Sequence, residues 1–197
     1  MKENNHNIAG FYDHSLSHAE QLPRSFSVTF REIEGCKNGE VRVIINDEWQ
    51  VGDIINDNSH ENDFYRYHDV FHYTFATMLG WSPCARSMMK RKRKSMPEID
   101  RIEDGARATI TEEAISLLIF NEARRKHFFA GNAKISKATL RVIKEITETF
   151  EVKNKSIEEW ENAISIAYKM FRQLIKNKGG KICFDMIDKS VKYSEPN

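Results

Sequence analysis

The stretch Phe64-Tyr65-Arg66-Tyr67-His68-Asp69-Val70-Phe71-His72 decides how the chain is read. At about 100° per residue, Phe64, His68, Phe71, His72, Phe75, Met78 and Leu79 share one helical face. Residues 62–79 therefore read as a helix that ends at Gly80. Two imidazoles four residues apart stand in the middle of its apolar stripe, with Asp69 at the edge. That spacing lets two imidazoles reach one point, which metal binding exploits. The plainer reading of each ring is a buried neutral histidine bonded to a carbonyl or carboxylate.

Outward from this helix the punctuation continues. A second helix opens at Ser82-Pro83, a cap followed by proline at the first helical position, and runs to about Lys94. A third follows the capping-box pattern Ser95-Met96-Pro97-Glu98 and runs to about His127. A fourth starts near Ser136, and a fifth follows Ser156-Ile157-Glu158-Glu159 and stops before Gly179-Gly180. Strands flank this helical centre. Phe26, Val28 and Phe30 alternate with polar residues, as do Val41, Val43 and Ile45 after the turn signal Asn38-Gly39; Trp49 and Val51 suggest a further short strand. Ile182, Phe184 and Met186, then Val191 and Tyr193 across Asp188-Lys189, make a second hairpin. The expected fold is α+β: a bundle of about five helices plus a small antiparallel sheet shared by the N-terminal and C-terminal hairpins. It forms one domain, 1–197, with a strand-rich extension at 1–60, a helical core at 62–177 and a closing hairpin at 181–194.

The 197 residues suit a single domain able to bury about 70% of its unfolded surface without disulfide staples. Hydrophobic residues make up 40% and charged residues 30%, which argues against wholesale disorder. Thirty basic against 29 acidic residues give a net charge of +1, so bulk charge does not point to nucleic acid or a membrane surface. No apolar run approaches the ~20 residues of a membrane helix, and the polar start Met1 to Ile8 does not read as a signal peptide. Cys36, Cys84 and Cys183 are scattered, as expected of reduced thiols in a cytoplasmic protein.

The third helix carries the carboxylates. Its expected apolar face is Ile102, Ala106, Ile110 and Leu117, with Glu113 at the centre of that face, Glu103 beside it and Glu112 pointing roughly the other way. A carboxylate on a core stripe is costly unless paired, protonated or bound to a cation, which makes Glu113 the most informative acid. A structural pairing with His68, His72 or Arg107 is the plainer alternative. Residues 98–122 hold seven acids and two bases, whereas 86–94 hold six bases (Arg86, Lys90, Arg91, Lys92, Arg93, Lys94) and no acids. Carboxylates that hold cations next to bases that hold phosphate oxygens are what a metal-dependent phosphate enzyme needs. A solvated helix end is the competing reading of the basic run. A nucleic-acid contact is disfavoured because no aromatic residue interleaves with it.

These residues also resemble a known family. Tyr65 to His72, Leu79-Gly80-Trp81-Ser82-Pro83, Lys90 to Ser95, Glu103-Asp104-Gly105-Ala106-Arg107 and Glu112-Glu113-Ala114-Ile115-Ser116 are similar to the C-terminal domain of some MazG-type proteins. The resemblance covers residues 62–122 strongly, the Gly-Gly hairpin weakly, and not the first 60. It implies an all-α nucleoside triphosphate pyrophosphohydrolase that cuts between the α and β phosphates. It further implies Mg²⁺ or Mn²⁺ held by helix carboxylates, and a dimer or tetramer with sites between helices. The better-known MazG pattern pairs Glu-Glu-x-x-Glu with Glu-x-x-Asp; here His68-Asp69-x-x-His72 stands instead, and imidazole suits zinc, manganese or iron better than magnesium. On this reading the metal ligands are His68, His72, Glu103, Asp104 and Glu113, and the catalytic carboxylates are Glu113, Asp69 and Glu112. Arg107, Lys90, Arg91, Lys92, Arg93 and Lys94 bind phosphate, and a homodimer is expected.

Two alternatives stand beside it. His68-Asp69 also resembles HD-domain phosphohydrolases, which need a separate upstream histidine; His60 is too close, and His14 or His18 would have to fold back. The other is a non-catalytic helical module that meets a partner protein in a defence or toxin–antitoxin system. Convergence of His68, His72, Glu103 and Glu113 on an open cavity near Arg107 would favour an enzyme; enclosure and mutual pairing would favour the module.

Overall fold

The computed structural model describes residues 11–36, 39–131 and 133–195. Met1 to Ile8 and Asn38 of the Asn38-Gly39 turn lie outside them. The alternation in the first strands forms β1 (Ser25–Ile33) and β2 (Glu40–Ile45), which pair antiparallel with Phe30 opposite Val43. Trp49–Gln50 (β3) and Ile55–Asn56 (β4) both add to β2. The C-terminal hairpin, β5 (Gly179–Asp185) and β6 (Ser190–Ser194), joins the other edge of β1, so the two ends of the chain share one antiparallel sheet. Its order along the main path is β3-β2-β1-β5-β6. The inward face is apolar: Val28 faces Ile45 and Ile182, and Phe26 stacks on Phe184 at 4.9 Å. Gly179 and Gly180 are required where β5 meets β1 and β6. A Cβ on Gly179 would lie 2.4 Å from the Phe30 carbonyl oxygen, and one on Gly180 would lie 2.5 Å from the Tyr193 ring.

Six α-helices stand among the described residues, one more than the punctuation suggests: α1 (Asp69–Leu79), α2 (Pro83–Met88), α3 (Pro97–Ile102), α4 (Ala106–Arg125), α5 (Lys137–Ile146) and α6 (Ile157–Asn177). The fold is thus α+β rather than the all-α architecture that the resemblance implies. The extra helix comes from a break in the expected 98–127 helix at Glu103-Asp104-Gly105. α2 also stops short of the basic run. The Ser82 cap forms as expected, its Oγ accepting from the Ala85 N–H, and Ser156 and Glu159 form a full capping box. Ser95 does not cap α3; it bonds to Glu20 instead.

The first helix is shorter and deeper than expected. A 3-10 turn at Tyr65–Tyr67 leads into His68, the residue that precedes α1. Every residue of α1 is buried, because α6, α2 and the sheet surround it. Phe71 packs on Tyr168 and Phe171, and Phe75 meets Trp160. Asp69 and His72 are therefore held on an enclosed helix, where polar side chains need partners. No helix among the described residues is long and apolar enough to cross a membrane.

The face of α4 is a correction. Ala108, Glu112, Ile115, Ile119, Phe120 and Ala123 are buried, whereas Ile110 is 68% and Leu117 49% exposed, and Ile102 and Ala106 also face outward. The helix has two apolar faces, and the break at Gly105 removes the continuous stripe from Ile102 that favoured the wrong one. Glu112 is consequently the enclosed carboxylate, and Glu113 lies at the edge.

Candidate metal centre

α1 and α4 bring His68, Asp69, His72, Glu112 and Glu113 together, and the start of α2 adds Ser82 and Cys84. Glu112 has no exposure and accepts three hydrogen bonds: from His72 Nδ1 at 2.9 Å, Ser82 Oγ at 2.7 Å and the Cys84 backbone N–H at 2.9 Å. The last two come from the N-terminus of α2, where exposed N–H groups attract a carboxylate. Glu112 thus fixes the His72 ring through Nδ1. His72 is only 1% exposed, and its Nε2 has no hydrogen-bond partner among the described residues. That nitrogen looks toward Glu113 Oε1, 3.5 Å away, from a side chain 44% exposed.

His68 repeats the arrangement. Its Nδ1 lies 2.9 Å from the Tyr65 carbonyl oxygen, which can only accept, so Nδ1 carries the hydrogen. Nε2 then faces Asp69 Oδ1 at 3.3 Å. Tyr65 stacks flat on the His68 ring at 4.3 Å, and the two imidazoles meet edge to face at 5.7 Å. Ligand atoms of His68, Asp69 and His72 lie within 4.8 Å of one another, as do those of His72, Cys84 and Glu112.

The electrostatics of the cluster call for a cation. Burial lowers the His68 pKa, against the pull of Asp69. Burial also disfavours a charged His72, yet Cys84 and Glu112 beside it raise its pKa well above the ordinary range. Of these two, Glu112 supplies the charge, since burial pushes the Cys84 thiol up and keeps it protonated. Burial works against an ionised Glu113, but His72 and His68 bring its pKa down to about 2. Two carboxylates around His72 are balanced by a proton on its ring or by a metal ion in the proton's place. The bare, buried Nε2 of His72 is the atom such an ion would satisfy. Two imidazoles and the Asp69 carboxylate fit a divalent transition ion better than magnesium, which favours oxygen ligands.

The other expected ligands are elsewhere. Asp104 accepts from the Arg93 backbone N–H at 2.8 Å and from its guanidinium at 2.8 and 3.1 Å, so it is held in an ion pair away from the histidines. Glu103 Oε1 accepts from the Glu151 N–H at 3.1 Å, and burial raises the Glu103 pKa. The break before α4 turns both acids away from the Glu112 face. The basic run is divided as well. Arg93 is fully buried between Asp104 and Glu151, and Arg91 reaches the His18 carbonyl. Lys92 is half-buried, whereas Lys90, Lys94 and Arg107 are exposed. Of these bases Lys90 alone is seen beside the cluster: it lines a cavity of about 330 Å³ with Asp69, Ser87, Met88 and a second carboxylate, Asp53. Convergence is therefore mixed, with His72 and Glu112 enclosed, Asp69 facing the cavity and Glu113 half-exposed.

Cys84 and Ser82 are members that sequence reading missed. Ser82-Pro83 marks a helix N-terminus, and such an end seeks a carboxylate. His14 and His18 do not join the cluster, so the upstream histidine of the HD arrangement is not supplied from the described residues.

Fold and cluster together define an α+β domain with a buried histidine–carboxylate centre. The family model described as the MazG C-terminal domain matches residues 7–197, and the chain belongs to that family. The match includes most of the first 60 residues that the resemblance left uncovered. Neither a curated protein nor a solved structure matches the chain.

Proposed function

We propose that the chain is a metal-dependent hydrolase of nucleoside triphosphates, releasing nucleoside monophosphate and pyrophosphate. The observation that carries this reading is the position of Asp69, which belongs to the histidine cluster and also lines a cavity with the cation Lys90. A volume of about 330 Å³ lies within the ~300–1,000 Å³ of small-molecule sites. Membership of a MazG-related family supports the class of reaction.

A divalent ion held by His68, Asp69 and His72, with a position left open, would polarise a phosphoryl oxygen and acidify water. Glu113, half-exposed, accepts a hydrogen bond from that water and orients it, while the proton released by the acidified water passes to solvent. Lys90 neutralises phosphate oxygens in the cavity. Glu112 touches no substrate in this scheme and acts by positioning His72. Two copies would pack through the exposed face of α4, where Ile110, Leu117 and Leu118 project. Leu117→Glu would then give a monomer in light scattering, and an unchanged mass would rule that face out.

Ribo- and deoxynucleoside triphosphates incubated with Mn²⁺, Mg²⁺ or Zn²⁺, with products resolved by chromatography, test the reading. Monophosphate plus pyrophosphate, lost in Glu113→Gln, is expected. Diphosphate or inorganic triphosphate would change the reaction. No turnover by folded protein would favour the non-catalytic module, a reading supported by the enclosure and mutual pairing of His72, Glu112 and Ser82.

A further inference from the structure

We propose that the cluster is a four-coordinate transition-metal site of the zinc type, held by His68 Nε2, Asp69 and His72 Nε2, with the fourth position open to water beside Glu113. This deepens the metal reading above and is independent of the nucleotide.

Both rings are already set for coordination. Each engages its Nδ1–H with an acceptor, the Tyr65 carbonyl for His68 and Glu112 for His72, which leaves Nε2 turned into the cluster. Metal-bound histidines commonly show this outer hydrogen bond, which fixes the ring and raises its basicity. Glu112 is itself anchored by Ser82 and the Cys84 N–H, so the support of His72 is rigid. The buried Nε2 of His72 is aimed at this point without a partner among the described residues.

The donor atoms select the class of ion. His68 Nε2 lies 3.3 Å from Asp69 Oδ1, and ligand atoms of His68, Asp69 and His72 lie within 4.8 Å of one another, close enough to share one ion. Two of these three donors are nitrogen, which favours zinc, iron or cobalt over magnesium. Cys84 Sγ lies 3.7 Å from Glu113 Oε1 and stays outside the coordination set as a donor to that carboxylate.

The test uses the full chain stripped of metal, titrated with Zn²⁺ against a chromophoric chelator and with Co²⁺ by absorption. Expected are one ion per chain and the intense visible band of four-coordinate cobalt. No thiolate-to-cobalt charge-transfer band should appear, and millimolar Mg²⁺ should not displace the ion. His68→Ala and Asp69→Asn should each weaken Zn²⁺ binding more than about 100-fold, and Glu112→Gln about 10–100-fold. Circular dichroism checks that each variant is folded, and His68→Ala, at a part-exposed position before α1, serves if a buried substitution unfolds the chain. Folded protein that takes up neither ion, a weak six-coordinate band, a thiolate band, or full affinity in His68→Ala and Asp69→Asn would overturn the site. Zinc binding as described without nucleotide turnover keeps the site and rejects only the nucleotide reading. Turnover with Mg²⁺ in a chain that binds no zinc does the reverse.

Discussion

Glu112 and Glu113 are neighbours in sequence with opposite tasks. Glu112 satisfies three donors in the core, while Glu113 closes the cluster at its open edge. Their substitutions should therefore separate. Glu112→Gln removes the charge that holds His72 and leaves donors poorly matched. It should lower stability by about 1–3 kcal/mol, read by urea unfolding. Glu113→Gln sits half-exposed and should leave stability within about 0.5 kcal/mol while abolishing turnover. Equal loss of stability in both would contradict the division. At this scale the sequence was informative about residue types more than roles. The pair His68 and His72 and the flanking Asp69 were visible from spacing alone. The choice between Glu112 and Glu113 was not, because it depends on which face of α4 is covered. Cys84 was missed because its backbone N–H, not its thiol, anchors Glu112.

The elements most legible in the sequence were those with a local cause. Alternation at Phe26, Val28 and Phe30 and at Ile182 and Phe184 gave the hairpins and the expectation that they share one sheet, though not that β1 and β5 are the strands that join them. The caps at Ser82 and Ser156 were equally local. The break between α3 and α4 was not legible, because Glu103-Asp104-Gly105 sits within a helical period. It forms because Arg93 binds Asp104 and because the backbone comes close at Gly105, where a Cβ would lie 2.2 Å from the Arg101 carbonyl oxygen. Gly105→Ala should cost about 1–3 kcal/mol by overpacking, seen as a lower urea midpoint. An unchanged midpoint would mean that the junction tolerates the methyl group.

Across the whole molecule, the acid–base pattern that read as a phosphate site turns out in part to be a clasp. Asp13 binds Arg24 at 2.6 Å and Arg86 at 2.8 Å, Arg86 approaches Asp104 at 3.7 Å, and Arg93 joins Asp104 to Glu151. These contacts tie the N-terminal segment to α2, to the α3–α4 junction and to the turn at Glu151–Asn154. Burial alone would raise the Asp13 pKa, but Arg24, Arg86 and the Leu22 N–H bring it below the ordinary 3.8. The folded state thus binds this proton less readily than the unfolded chain. Its contribution is complete above pH 3.8 and is lost as pH falls through the lower folded value. Asp13→Asn should flatten the unfolding free energy over that acid window and cost about 1–3 kcal/mol at neutral pH, because Arg24 and Arg86 lose the charge they share, while Arg86 keeps Asp104 and two carbonyl acceptors. An acid profile unchanged by the substitution would place the sensitivity elsewhere.

The most direct test of the central claim is the anomalous scattering of a crystal grown with Zn²⁺, recorded on both sides of the metal absorption edge. A peak bonded to His68 Nε2 and His72 Nε2, with Asp69 and Glu113 beside it, is the predicted result. A peak among Glu103, Asp104 and Glu151, or a cluster that stays metal-free at saturating zinc, would contradict it.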